Sequence, residues 1–182
     1  DVDAFYLAAS MIELLAPASR RLRPMEVIRH FEGVVKGELD LRLESAAASE
    51  FAATTAQDPG FRVPSVHWML SGRRIMTLEW VDGPGMSDIA AIDAAGHDRT
   101  DLARRVLQDF LRQALRDGYF HADLHQGNLK VAPDGDIVAL DFGIMGRIDR
   151  RARVWLAEIL YGLITGNYKR VAEIHFEAGY VP

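Results

Sequence analysis

Two short stretches near the middle of the chain, HADLHQGN at 121–128 and ALDFG at 139–143, constrain the fold more than any other part of its 182 residues. What lies between them reads as a hairpin. NLKVA (128–132) and DIVALDF (136–142) show the alternation and apolar runs of short strands, and PDG at 133–135 supplies the backbone angles of a tight turn. The loop with Asp123 and Asn128 therefore feeds one strand, and the partner strand delivers Asp141. Alone, Asp123 reads as a loop or capping carboxylate and Asp141 as a turn residue. Neither reading explains why a hairpin should join them.

The separations, 5 residues from Asp123 to Asn128 and 13 from Asn128 to Asp141, carry the chemistry. Protein-kinase-like folds use this spacing to hold a catalytic aspartate, a metal-binding asparagine and a second metal-binding aspartate around a nucleoside triphosphate. Transfer of a γ-phosphoryl group needs hard oxygen ligands for Mg²⁺ and a carboxylate that orients or deprotonates an acceptor. His121 and His125 flank the aspartate, and His121 is expected to pack the loop.

Composition removes other classes. With 49% hydrophobic residues the chain can bury the core of one domain. A net charge of −5 and a pI near 5.7 argue against a phosphate-contacting nucleic-acid surface. Without cysteine there is neither a disulfide nor a thiolate metal site, and the six histidines show no HExxH spacing. No apolar run reaches the roughly 18 residues of a membrane span. The best candidate, residues 2–16, contains Asp3 and Glu13. A cytoplasmic protein is expected, with peripheral attachment to an inner membrane as a variant of that reading. Arginine-rich basic composition with only Lys36, Lys130 and Lys169 as lysines, and abundant alanine, points to a GC-rich bacterial source.

Helical periodicity is expected over 2–15 and again from Pro24 towards Thr54, ended by Pro59-Gly60. RVPSVHWML (62–70) and RRIMTLEWV (73–81) read as two strands turning at Ser71-Gly72. A short helix near 87–93, a long one from Thr100 to Asp117 stopped by Gly118, and two more over 150–165 and 167–179 complete the chain. That order is an α+β, protein-kinase-like fold: a partial N-lobe at 1–81, and a mostly helical C-lobe at 82–182 with the catalytic loop and DFG. On this map Thr77–Val81 is the hinge between lobes, and the backbone at Glu79 and Val81 would bind the adenine edge.

The chain resembles the UbiB (ADCK-like) atypical kinases tied to ubiquinone biosynthesis, over nearly its whole length. Beyond HADLHQGN and ALDFGIMG, the resemblance rests on GELDLRLESAAAS (37–49), RVPSV (62–66), TLEWVDG (77–83) and the closing EAGYVP. It implies that Asn128 and Asp141 bind Mg²⁺, that Asp123 is the catalytic-loop carboxylate, and that Glu38 and Asp40 form a regulatory ExD motif. Glu44 would be the regulatory-helix glutamate pairing with the nucleotide-binding lysine. ATP and Mg²⁺ are the implied cofactors, a quinone precursor or lipid-like molecule the implied further ligand, and nucleic acid is no partner. The family's alanine-rich nucleotide loop, strand lysine and KxGQ segment are not found here, so residue 1 is expected to lie inside a longer protein that carries them and any membrane attachment. Taken as ordinary surface charges, Glu38 and Arg42 make an i,i+4 helix pair. Between DFG and the next helix only IMGRID intervenes, too little for a peptide platform. An ATPase or a kinase for a small or lipid-like acceptor is therefore expected. The alternatives are a non-catalytic nucleotide-sensing scaffold and a small-molecule phosphotransferase of the aminoglycoside or choline kinase kind.

Overall fold

The computed structural model describes residues 2–15 and 21–181, without the side chains of residues 34 and 36–38. Two N-terminal helices, α1 (Val2–Leu15) and α2 (Pro24–Glu38), lie against each other. Tyr6 Oη donates to Glu32 (2.7 Å), the Met25 amide donates to Glu13 (3.4 Å), and Phe5 meets Phe31 edge to face.

The single helix expected from Pro24 towards Thr54 is in fact two. The chain leaves α2 after Glu38 and starts α3 (Leu41–Thr55) with Asp40 as its N-cap, the carboxylate accepting from the Arg42 amide. A capping aspartate next to the junction satisfies the amides that a fresh helix start leaves unpaired, and this outweighs the continuous helical periodicity. On α3, Ser45, Ala48, Phe51 and Thr55 are buried at helical spacing. The Ser45 and Thr55 hydroxyls donate to the carbonyls of Leu41 and Phe51, so burial leaves neither unsatisfied.

The expected hairpin at 62–81 is also corrected. In place of a continuous ladder its arms make isolated antiparallel bridges, Val66–Leu78 and Gly72–Ile75, and it turns at Arg73-Arg74 rather than Ser71-Gly72. A 3-10 turn, Trp68–Leu70, interrupts the first arm. Ser71 Oγ donates to the His67 carbonyl and accepts from the Thr77 amide, and Thr77 Oγ1 donates to the Leu70 carbonyl. These hydroxyls replace the ladder bonds that a regular strand pair would make.

Around the predicted catalytic hairpin the expectation holds. Strands β3 (Leu129–Val131) and β4 (Ile137–Ala139) pair antiparallel, with Leu129 opposite Ala139 and Val131 opposite Ile137. Two neighbours were not legible locally. The short strand β1 (Phe61–Arg62) adds to β4 in parallel, and β2 (Tyr119–His121) pairs antiparallel with β5 (Met145–Arg147). Residues 84–86 run along the free edge of β3, with Val131 N donating to Pro84 O (3.0 Å) and Met86 N to Leu129 O (2.9 Å). Gly83 enters that segment at φ 109°, where a Cβ would stand 2.0 Å from the Val131 carbonyl oxygen. Only glycine fits there.

Helix α4 (Ile89–Ala94) is capped by Asp88 and α5 (Arg99–Arg112) by Asp98. A π-helical turn, Gln113–Asp117, ends at Gly118 in the left-handed conformation. Helices α6 (Arg150–Thr165) and α7 (Tyr168–Glu177) form a hairpin about Gly166. Part-buried arginine contacts brace these parts. Arg116 chelates Asp58 at 2.6 and 3.0 Å, and Arg105 donates to the carbonyls of Gly60 and Gly135. The core is organised around Phe51, which touches the rings of Phe61, Tyr119, His121 and Phe142. It draws on residues from Ala48 to Phe142.

Candidate nucleotide and metal site

The loop after β2 is held by its own side chains. His121 Nδ1 accepts from the Asp123 amide (3.2 Å), His125 Nδ1 from the Gly127 amide (3.0 Å), and Asn128 Nδ2 donates to the Asp123 carbonyl (3.1 Å). With its amide nitrogen thus used, Asn128 keeps its oxygen for a ligand. The partly exposed carboxylate of Asp123 faces His125 Nε2 at 3.6 Å.

Two main-chain bonds, Ala122 N to Ile144 O and Leu140 N to Asn128 O, both 3.0 Å, tie this loop to the stretch that follows β4. Asp141 lies between them, exposed, with Oδ1 accepting from the Gly143 amide (2.9 Å). The neighbouring Phe142 is buried against Phe51 and His121. Its amide donates to Glu44 Oε1 (3.2 Å), so α3 is bonded directly to the DFG backbone. Glu44 and Phe51 are seven residues apart on α3, two turns, and serve as one clamp.

The donor set suits Mg²⁺. Asn128 and Asp141 offer hard oxygens, and the described residues hold no cluster of three or more His, Asp or Glu side chains that would cage a metal alone. A small cation that keeps few protein ligands and takes the rest from phosphates fits such a site. His121 supports the site from below. Burial pushes its pKa down, opposed by the Asp141 main chain and by the carboxylates of Asp141 and Asp123. A neutral ring with Nδ1 accepting is what the Asp123 amide requires.

At the expected hinge, the Glu79 amide donates to the Ser65 carbonyl, and the Glu79 carboxylate accepts from Ser65 and from Arg62 Nη1. The main-chain bond to Ser65, then its hydroxyl and Arg62, hold the Glu79 pKa below the ordinary carboxylate value. Val81 is buried, and its carbonyl accepts from Lys130 Nζ at 2.6 Å. Lys130 thus connects the hinge to β3, two residues beyond Asn128. Reading the sequence for a strand lysine upstream passes it over. The available signal was a lysine alternating with buried Leu129 and Val131, hence on the strand's other face.

Asp40 is not brought to the catalytic loop by any hydrogen bond or ion pair among the described residues. Arg42 grips it at 2.8 and 2.6 Å and holds its pKa at about 2. The side chain of Glu38 lies outside the described residues, so the ExD pairing is seen only through Asp40.

A catalytic loop and a DFG segment joined by a hairpin, with a glutamate-bearing helix bonded to the DFG backbone, define a protein-kinase-like domain. The chain belongs to the ABC1 atypical kinase-like family, whose domain model matches residues 1–175. Similar proteins include one named "Probable protein kinase UbiB" in Xanthomonas oryzae pv. oryzae, 38% identical over all of this chain. A protein of the same name in Xylella fastidiosa is 36% identical over the same extent. The chain spans 34% of the length of these relatives. Among solved structures, the Mycobacterium tuberculosis Rv3197–erythromycin complex superposes on 98% of this chain and 46% of its own, with a TM-score of 0.65 and 24% identity, a likeness of fold. Among the described residues, no helix is long and apolar enough to cross a membrane.

Proposed function

We propose that this domain binds Mg²⁺-ATP and acts as the catalytic part of a UbiB-type atypical kinase or ATPase that supports ubiquinone synthesis. The observation that carries the reading is the pair of main-chain bonds between residues 122 and 144 and between 128 and 140. They tie the loop that carries Asp123 and Asn128 to the segment that carries Asp141, which supports a shared site for phosphoryl transfer.

In this reading Asn128 and Asp141 hold Mg²⁺, which neutralises charge on the phosphate oxygens. The Asp123 carboxylate orients an acceptor O–H or a water and takes its proton. The acceptor oxygen bonds to the γ-phosphorus as the bond to the β–γ bridging oxygen breaks, and ADP leaves. Between Asp141 and α6 the chain forms β5, which pairs back onto β2. Only Ile148 and Asp149 separate β5 from α6, a stretch too short for a peptide platform, so a small quinone-like or lipid-like acceptor, or water, is favoured. Peripheral attachment to a membrane through other parts of the full-length protein belongs to the same proposal.

Asp141→Asn keeps the shape of the side chain and removes its charge. In the full-length protein it is expected to weaken Mg²⁺-ATP binding by at least about tenfold, the loss of one charge-assisted metal contact. The melting temperature without nucleotide should stay near wild type, since Asp141 is exposed. Unchanged affinity in a calorimetric titration would remove the metal assignment.

A further inference from the structure

The hinge carries three main-chain groups that a purine edge can use, and one of them already accepts a hydrogen bond from within the protein. Lys130 Nζ donates to the Val81 carbonyl at 2.6 Å and lies 5.5 Å from the centre of the Trp80 ring. The Glu79 carbonyl and the Val81 amide hydrogen-bond to no described residue. The main chain at Lys130 is fixed on both sides. Leu129 and Val131 on either side are buried, Lys130 pairs with Val138 across the hairpin, and Gly85 bridges to it from the other edge. The side chain therefore runs from a rigid strand to the hinge.

We infer that Lys130 makes the hinge read adenine and reject guanine by donating to the Val81 carbonyl. The inference rests on the nucleotide reading above. Adenine presents a donor, its 6-amino group, beside an acceptor, N1. These match the Glu79 carbonyl and the Val81 amide, the two groups left open. Guanine presents O6 as acceptor beside N1–H and the 2-amino group as donors. Against Glu79 and Val81 it meets like with like. It can be accommodated by sliding along the hinge so that O6 accepts from the Val81 amide and N1–H donates to the Val81 carbonyl. In this protein that carbonyl faces an ammonium. An ammonium has three donors and no acceptor, so it opposes the guanine N1–H and 2-amino groups whichever way it rotates. Rejecting a base by leaving its donors unpaired costs more than lacking an attraction, which is why one side chain decides the choice.

The test is the binding of Mg²⁺ complexes of the β,γ-imido analogues of ATP and GTP to the full-length protein, by calorimetry. Wild type should prefer the adenine analogue. Lys130→Met keeps an apolar stem of similar length and removes the donors. It should tighten binding of the guanine analogue and lower the adenine-to-guanine affinity ratio by about tenfold or more, the worth of one unsatisfied polar contact. Lys130→Arg, which retains donors, should preserve the preference and shows that a change in Lys130→Met is not general damage to the strand. A ratio unchanged in Lys130→Met, with the adenine analogue still bound, overturns the inference and leaves the nucleotide reading standing. A wild-type protein that binds neither analogue overturns the nucleotide reading, and this inference with it.

Discussion

Gly83 offers a quantitative check on how the 84–86 segment is attached to the β3–β4 hairpin. In Gly83→Ala the new methyl would stand 2.0 Å from the Val131 carbonyl oxygen, 3.1 Å from its carbon and 3.3 Å from the Ala132 Cα, all main chain. No rotamer change relieves contact with a backbone, so residues 84–86 must lift from β3. The bonds at stake are Val131 N to Pro84 O and Met86 N to Leu129 O. Losing both costs about 1–3 kcal/mol, at the usual net worth of a hydrogen bond. Holding alanine at φ 109° adds about 1–3 kcal/mol of backbone strain. Gly135→Ala isolates the second contribution: its φ is 90° and nothing lies within 4 Å of the added methyl. Urea unfolding of both variants, followed by tryptophan fluorescence, should place Gly83→Ala below Gly135→Ala by about 1–3 kcal/mol. At roughly 2–4 °C per kcal/mol for a chain of this size, the gap is also visible in melting temperatures. Equal destabilisation of the two would refute the claim that the 84–86 segment is bonded to β3.

Two further outcomes test the core and its titration. Phe51→Ala empties the centre of the aromatic cluster and should cost about 3–5 kcal/mol in the same assay. A loss below about 1 kcal/mol would mean that Phe51 is not central. Burial raises the pKa of Asp109 above its ordinary 3.8 against the opposing pull of Arg112, and one of its carboxylate oxygens is buried without a partner. A raised folded-state pKa means that Asp109 favours the native state below its unfolded pKa and that this contribution fades as pH rises through the folded value. The stability of wild type relative to Asp109→Asn should therefore fall as pH is raised from about 3.8 towards neutrality. A relative stability that rises with pH would contradict the assignment.

Much of this domain could be read locally. The hairpin at 128–142 follows from strand alternation around Pro133-Asp134-Gly135, and it joins the loop of Asp123 and Asn128 to Asp141. Helices α1, α5, α6 and α7 were expected near their observed bounds because apolar periodicity and the stop glycines Gly118 and Gly166 are short-range signals. Composition sufficed to exclude thiolate chemistry. What local signals could not decide was anything set by bonding across long separations. The helix break at Leu39-Asp40 depends on a cap together with the Leu41 amide donating to the Arg73 carbonyl, a partner far along the chain. The arms at 62–81 look like strands by residue type, but their ladder gives way to hydroxyl bonds whose geometry is known only in the folded hairpin. The addition of β1 to β4, the pairing of β2 with β5, and the bond from Glu44 to the Phe142 amide each join segments that carry no mark of each other in sequence. Lys130 is the sharpest case. In sequence it is a polar residue on a strand, and its role at the hinge exists only because Gly83 lets residues 84–86 lie against β3, bringing the Val81 carbonyl within reach of its ammonium.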